Sequence, residues 1–289
     1  MVPPAPEPSP TLHPNRVSLA LAVERSHIRP PWHYDCIINV ADSVVVAAAR
    51  ICGAGIARIL ASPEHGNLAV ALLARREESL AEIKSGLQSR VPSAVIETFR
   101  SDTSPEALSA AFEAIKSHKS FADLKLNVAI FSIKHSSKKP FLEETHDAFT
   151  QSLDTYVGGA FAFSQLCVKR FFADHGDADL ASGAPKKGTL IFTGTLGALR
   201  CNAEFAAYGA GRAGVRQLAQ SLARELSHRG VHVVHAIANG SIRDDNSADQ
   251  AQGKKMSAEA VGKTYLWLHQ QGPELWTHEL DLRPAQEKF

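Results

Sequence analysis

No apolar run in the 289-residue chain reaches the ~18 residues needed to cross a bilayer. The stretch "VSLALAV" (17–23) is too short, and it follows prolines with no basic lead, so neither a membrane anchor nor a secretory signal is expected there. Cysteine is scarce. Cys36, Cys52, Cys167 and Cys201 are far apart and form no CxxC pair, which argues against a zinc site or a disulfide framework and for a reducing, cytoplasmic setting. Excess charge of either sign is lacking too. Lys and Arg total 31 against 30 Asp and Glu, a net charge of +1, so no global field favours nucleic acid or an anionic membrane. The 13 histidines contain no HExxH or other ligand spacing. His232 and His235 alternate with valines in a strand-like run and fall on opposite faces, where they would not chelate.

Hydrophobic residues make up 44% and charged residues 21%, the proportions of a soluble globular protein. Proline is concentrated at the start. "MVPPAPEPSP" prevents helix and sheet pairing, so residues 1–33 read as a flexible extension and 34–289 as a single domain. From about Ser43 short apolar runs alternate with helical spacing. "SVVVAAA" (43–49), "LAVALLA" (68–74), "AVIETF" (94–99), "LNVAIFSI" (126–133), "GTLIFTG" (188–194) and "VHVVHAIA" (231–238) read as buried strands. Helices are expected between them, the longest at about 145–173 and 203–229, with a last helix at 257–270 and an edge strand in "THELDLR". This order means βαβ units. The expected architecture is α/β, a Rossmann-like doubly wound parallel sheet with helices on both faces and ligands at the carboxyl ends of its strands.

Several residues carry chemistry in that frame. Tyr208 stands four residues before Arg212 in "YGAGR", so both lie on one helix face. A phenol beside a fixed positive charge is a plausible proton donor; the plainer reading is a core aromatic with its hydroxyl tied to the backbone. Arg75 and Arg76 follow the second strand with no acid before them, and a guanidinium fork matches a phosphate, although paired arginines also suit a solvated helix start. Asp102 in "SDT" has the look of a helix N-cap. "KHSSKKP" (134–140) is a basic loop after the fourth strand, and "RDDNSADQAQGKKMS" (243–257) is polar and flexible in composition.

The order of these motifs resembles the short-chain dehydrogenase/reductase family from about residue 43 to the end: a turn after strand one, "ARRE" after strand two, "SDTS" after strand three, "FLEET" after strand four and "YGAGR" after strand five. The tail "ELWTHELDLRP" is similar to the end of one subgroup. The resemblance implies NADP(H) as cofactor, a small-molecule substrate, and a homodimer or homotetramer built on the helices at 145–173 and 203–229. Family members carry T-G-x-x-x-G-x-G after the first strand, where glycines let the backbone approach a pyrophosphate on the helix N-terminus. One register sets Ala47, Ile51 and Gly53 on the three glycine positions; the other sets Ala49, Gly53 and Gly55 there. The first is preferred, because "IARILA" (56–61) then aligns with the family's first helix, and it places Arg50 where NADP-using members often have a basic residue. The resemblance further assigns Arg50 and Arg75, together with Arg76, to the 2′-phosphate, Asp102 to the adenine, and Ile242 to the cofactor contacts. In the family's Asn, Ser, Tyr and Lys set, Tyr208 stands for the tyrosine and Thr195, thirteen residues earlier, for the serine. Arg212 replaces the lysine and Tyr156 the asparagine, while "FSIK" (131–134) replaces the usual N-A-G. Two readings follow: a carbonyl (or imine) reductase, or a relative without redox turnover that isomerises, cyclises or binds.

Overall fold

The computed structural model describes residues 43–48, 51–133 and 138–287. The extension at 1–33, Arg50 and the first four residues of the basic loop lie outside them. Strands β1 (Ser43–Ala48), β2 (Ala69–Ala74), β3 (Ile96–Arg100), β4 (Lys125–Phe131), β5 (Gly188–Gly194), β6 (Val231–Ala238) and β9 (Glu279–Leu282) form one sheet in the order β3-β2-β1-β4-β5-β6-β9, and every neighbouring pair is parallel. The order reverses between β1 and β4, so a crevice opens beyond their carboxyl ends. All eight residues of β6 are buried, as the near-continuous apolar run "VHVVHAIA" requires of a strand covered on both faces.

Helices α1 (Ile51–Ala61), α2 (Glu77–Arg90) and α8 (Ala258–Gln270) cover one face; α3 (Pro105–Ser117), α5 (Gly159–His175) and α6 (Ala206–Leu226) cover the other. Their ends follow local chemistry. At α3 the Ser104 hydroxyl accepts from the Ala107 amide and Pro105 takes the first helical position. Glu77 and Glu78 open α2 and Arg90 closes it, each sign opposite to the helix-end charge it meets. Where α1 crosses α8 the backbones nearly touch. A Cβ on Gly55 would lie 2.5 Å from that of Ala258, so Gly55 is spent on helix packing.

Two expected outlines change. The helix expected over 145–173 is interrupted: α4 (His146–Leu153) leads into a π-helical turn, Asp154–Gly158, before α5. The polar stretch 243–257 has its own short elements, β7 (Ile242–Arg243) paired with β8 (Met256–Ser257) and the single turn α7 (Ala248–Ala251) between them. Asp244 ties this segment down, accepting from Arg58 at 2.9 Å and Arg90 at 2.6 Å.

The edge beside β9 holds buried imidazoles. His232 stacks on Trp276 with ring centroids 5.1 Å apart, and its Nε2 donates to the Thr277 carbonyl at 2.9 Å. Burial, with the Lys186 cation nearby, pushes His232 down to about 4 and His269 to about 3. An unfolded histidine titrates near ~6.5. Stability is therefore full above that pH and falls as pH drops toward about 4, because the unfolded chain takes up protons that the folded one excludes. His232 alone accounts for about 3 kcal/mol once the fall is complete. Urea midpoints at about pH 7.5 and about pH 4.5 check this. The His232→Phe variant should show a flatter fall; an unchanged fall would assign the effect elsewhere.

Candidate active site

Strand β5 ends at Gly194, and Thr195 follows in extended conformation before a tight turn, Leu196–Ala198. The Leu196 amide donates to Asn239 Oδ1 at 3.3 Å, which anchors the turn to the end of β6. Tyr208 enters from the first turn of α6, half-buried, with its ring edge-on to Phe205 at 5.6 Å. Glycine at 197 makes room for it: a Cβ there would lie 2.5 Å from Tyr208 Cε1. The result is a hydroxyl pair, with Tyr208 Oη and Thr195 Oγ1 2.5 Å apart, at the short end of O–H···O distances. The thirteen-residue spacing thus becomes a direct contact.

Arg212 lies one helical turn further on and is 4% exposed. Its Cζ sits 5.0 Å from the Tyr208 ring centroid and 4.0 Å from that of Tyr156. Nη1 donates to the Tyr156 hydroxyl and reaches the Thr193 carbonyl at 3.5 Å; Nη2 reaches the Ile133 carbonyl at 3.5 Å. Tyr156, itself 3% exposed, donates its hydroxyl hydrogen bond to the Thr193 carbonyl at 3.3 Å. Burial raises the Tyr156 pKa against the opposing pull of Arg212, which keeps this phenol a neutral donor. In the sequence Tyr156 stands at the family's asparagine position, outside the set of Tyr208, Thr195 and Arg212. The available signal was the simultaneous change at 156 and 212, an aromatic facing a planar cation.

The residues that the sequence offers for a nucleotide lie at and after the ends of the first three strands, with Ile242 in β7. Ala47 lies in β1, paired with Leu72 and Ile130, and Ile51 opens α1 with Gly53 buried in its first turn. Gly55 is packed against Ala258 of α8. Arg75 follows β2 directly, and Arg76 is the N-cap of α2; both are exposed. Asp102 follows β3, and its Oδ1 accepts from the Ser104 amide at 2.9 Å and hydroxyl at 2.7 Å. Those bonds, together with nearby Arg75 and Arg100, hold its carboxyl below the usual range. The cap of α3 is Ser104, so Asp102 orders the turn before it. Ile242 pairs with Met256 and packs against the α1–α2–α8 core. Lys138, from the described end of the basic loop, pairs with Glu204 at 3.2 Å.

Arg75 and Arg100, exposed beside Asp102 at the ends of adjacent strands, form a cationic pair of the kind that fits a phosphate. Among the described residues no group of three His, Cys, Asp or Glu side chains is placed to hold a metal ion, and no helix is long and apolar enough to cross a membrane.

A doubly wound sheet of this order, with a Tyr–Thr hydroxyl pair at the end of its fifth strand, has the plan of the short-chain dehydrogenases/reductases. Residues 46–268 match the family described as enoyl-(acyl carrier protein) reductase, and the chain belongs to that short-chain dehydrogenase/reductase family. No curated protein matches the chain at sequence level. Among solved structures, a short-chain dehydrogenase from Rhodopseudomonas palustris is 26% identical, with 86% of this chain and 100% of that one covered and a TM-score of 0.67. The L-sorbose reductase of Gluconobacter frateurii, solved with NADPH and L-sorbose, is 16% identical over 84% of this chain and 96% of its own, at a TM-score of 0.69. An alcohol dehydrogenase from the archaeon Thermococcus sibiricus, complexed with 5-hydroxy-NADP, is 15% identical over 85% and 98%, at 0.68. The last two likenesses are of fold.

Proposed function

We infer that the protein is an NADPH-dependent reductase of a carbonyl (or imine) group in a small molecule. The observation that carries this reading is the 2.5 Å contact between Tyr208 and Thr195. Tyr208 gives its proton to the substrate oxygen, Thr195 holds that oxygen by a hydrogen bond, and the buried charge of Arg212 stabilises the phenolate left behind. A nicotinamide bound over the carboxyl ends of β1 and β4 would supply the hydride to the carbonyl carbon. Arg75 and Arg76 would take the 2′-phosphate, with Arg50 as a third cation, and Asp102 the adenine. The fixed guanidinium cannot release a proton, so Arg212 acts here by charge alone.

A second reading has its own support. The Arg212 fork is engaged by Tyr156 and two main-chain carbonyls, an arrangement that also suits a relative working without redox turnover. Incubation with NADPH and a panel of aldehydes, ketones and imines separates the two. Carbonyl-dependent loss of nicotinamide absorbance is the expected result. Tight NADPH binding without any oxidation would favour the second reading.

Replacing Arg75 with Ala should weaken NADPH about 10- to 100-fold and leave NADH nearly unchanged, since a charge-assisted contact to phosphate contributes roughly 1.5–3 kcal/mol. Fluorescence titration of both nucleotides measures the ratio. Equal losses for the two would remove Arg75 from the phosphate site.

A further inference from the structure

The buried cation of the site does not hold itself in place. An arginine has four rotatable side-chain bonds, and burying one without partners is costly. Here the Arg212 Cζ lies over the Tyr156 ring, 4.0 Å from the centroid, and Nη1 donates to that residue's hydroxyl. The hydroxyl is itself fixed by donating to the Thr193 carbonyl at 3.3 Å. One side chain therefore offers Arg212 both a π-face and an acceptor, and the strand that ends beside Thr195 fixes that side chain in turn.

The backbone is shaped to deliver Tyr156. The π-helical turn Asp154–Gly158 interrupts the helical run at this residue. Single π-turns of this kind recur at functional sites, because the extra residue re-aims a side chain. Opposite it, α6 carries Gly211, where a Cβ would lie 3.3 Å from Tyr156 Cδ1, tighter than ordinary contact. Below, Phe131 meets the Tyr156 ring at 5.9 Å between centroids. Each of these features bears on one side chain.

We propose that Tyr156 is a positioning residue: it holds the Arg212 guanidinium beneath the Tyr208 ring, and the residues at 156 and 212 form one unit in which neither works without the other. This rests on the proton-donor reading for its purpose, but the clamp stands as a matter of geometry. The unit explains why both departures from the family pattern occur together. A planar cation gains from an aromatic face that a small amide does not have, and a buried tyrosine hydroxyl at this point needs a donor.

The test uses the arginine's own signals in the full-length chain. A clamped guanidinium rotates slowly about its C–N bonds, and its protons lie in the shielding region of the aromatic faces. Nitrogen-15 spectra of wild type should show an arginine with resolved, upfield Nη–H resonances that are absent in Arg212→Lys, which separates them from any signal of Arg229 over Phe172. In Tyr156→Leu that arginine should collapse to the averaged, unshifted signal of a solvated side chain. Tyr156→Phe, which keeps the face and loses the acceptor, should retain the upfield shift but lose the slow rotation. Circular dichroism and thermal unfolding identify any variant that has lost its fold, and Tyr156→Phe, with only an oxygen removed, keeps the test decisive if Tyr156→Leu does not fold. With a reducible carbonyl in hand, Tyr156→Leu should lower kcat at least tenfold with KM within about twofold. Arg212 signals unchanged in Tyr156→Phe and in any folded Tyr156→Leu would overturn the proposal. Signals that respond as described in a protein that binds no dinucleotide would leave the clamp standing and remove the reductase reading.

Discussion

Tyr208→Phe should lower turnover by about 10²–10⁴-fold, the range a positioned general acid contributes. The phenyl ring keeps its contacts with Phe205 and with the space left by Gly197, so the first turn of α6 has no reason to move. The oxygen is lost, and with it the proton for the substrate and the partner of Thr195. Tyr208 is only half-buried, so water can reach the threonine hydroxyl and the stability cost should be about 1 kcal/mol. A large fall in kcat with a nearly unchanged melting temperature is the expected pair of results. Full turnover in the variant would assign the proton to another group. Thr195→Val should act in the same direction, since it removes the second donor at nearly constant volume.

Phe131→Ala should destabilise the fold by about 3–5 kcal/mol, the usual range for deleting a buried phenyl ring. Phe131 is 1% exposed at the end of β4. Its ring meets Phe163 at 5.6 Å, Tyr156 at 5.9 Å and Phe192 at 6.3 Å, so one deletion opens a cavity shared by α5, β5 and the π-turn. Because Tyr156 rests on that ring, the cavity lies directly under the clamp on Arg212. The variant should lose activity at temperatures where most of it is still folded. Urea unfolding measures the first effect; a loss below about 1 kcal/mol would mean that the neighbouring rings collapse into the gap.

Much of this was legible from pattern. Strands β2, β5 and β6 showed themselves because they are buried almost throughout and read as near-continuous apolar runs, "VHVVHAIA" most plainly. Gly188–Gly194 and Val231–Ala238 fall on the residues expected. The Tyr208–Thr195 contact was legible as a spacing, because a strand end and the helix after it are held by the sheet. The break at Asp154–Gly158 was not. A π-turn keeps helical composition, and its extra residue leaves no mark in periodicity. The binding of Arg212 to Tyr156 was hidden for a different reason: the two lie 56 residues apart and meet only through tertiary packing. Asp102 read equally well as a cap; the structure gives the cap to Ser104 two residues later, a shift smaller than helix-end signals resolve.

The central claim is that a phosphorylated dinucleotide serves the hydroxyl pair at Tyr208 and Thr195. The most direct measurement is the equilibrium binding of NADPH and NADH to the intact protein, followed by nucleotide fluorescence. The account predicts saturable NADPH binding below millimolar concentration, with NADH clearly weaker. An absence of binding by either nucleotide at millimolar concentration would contradict it.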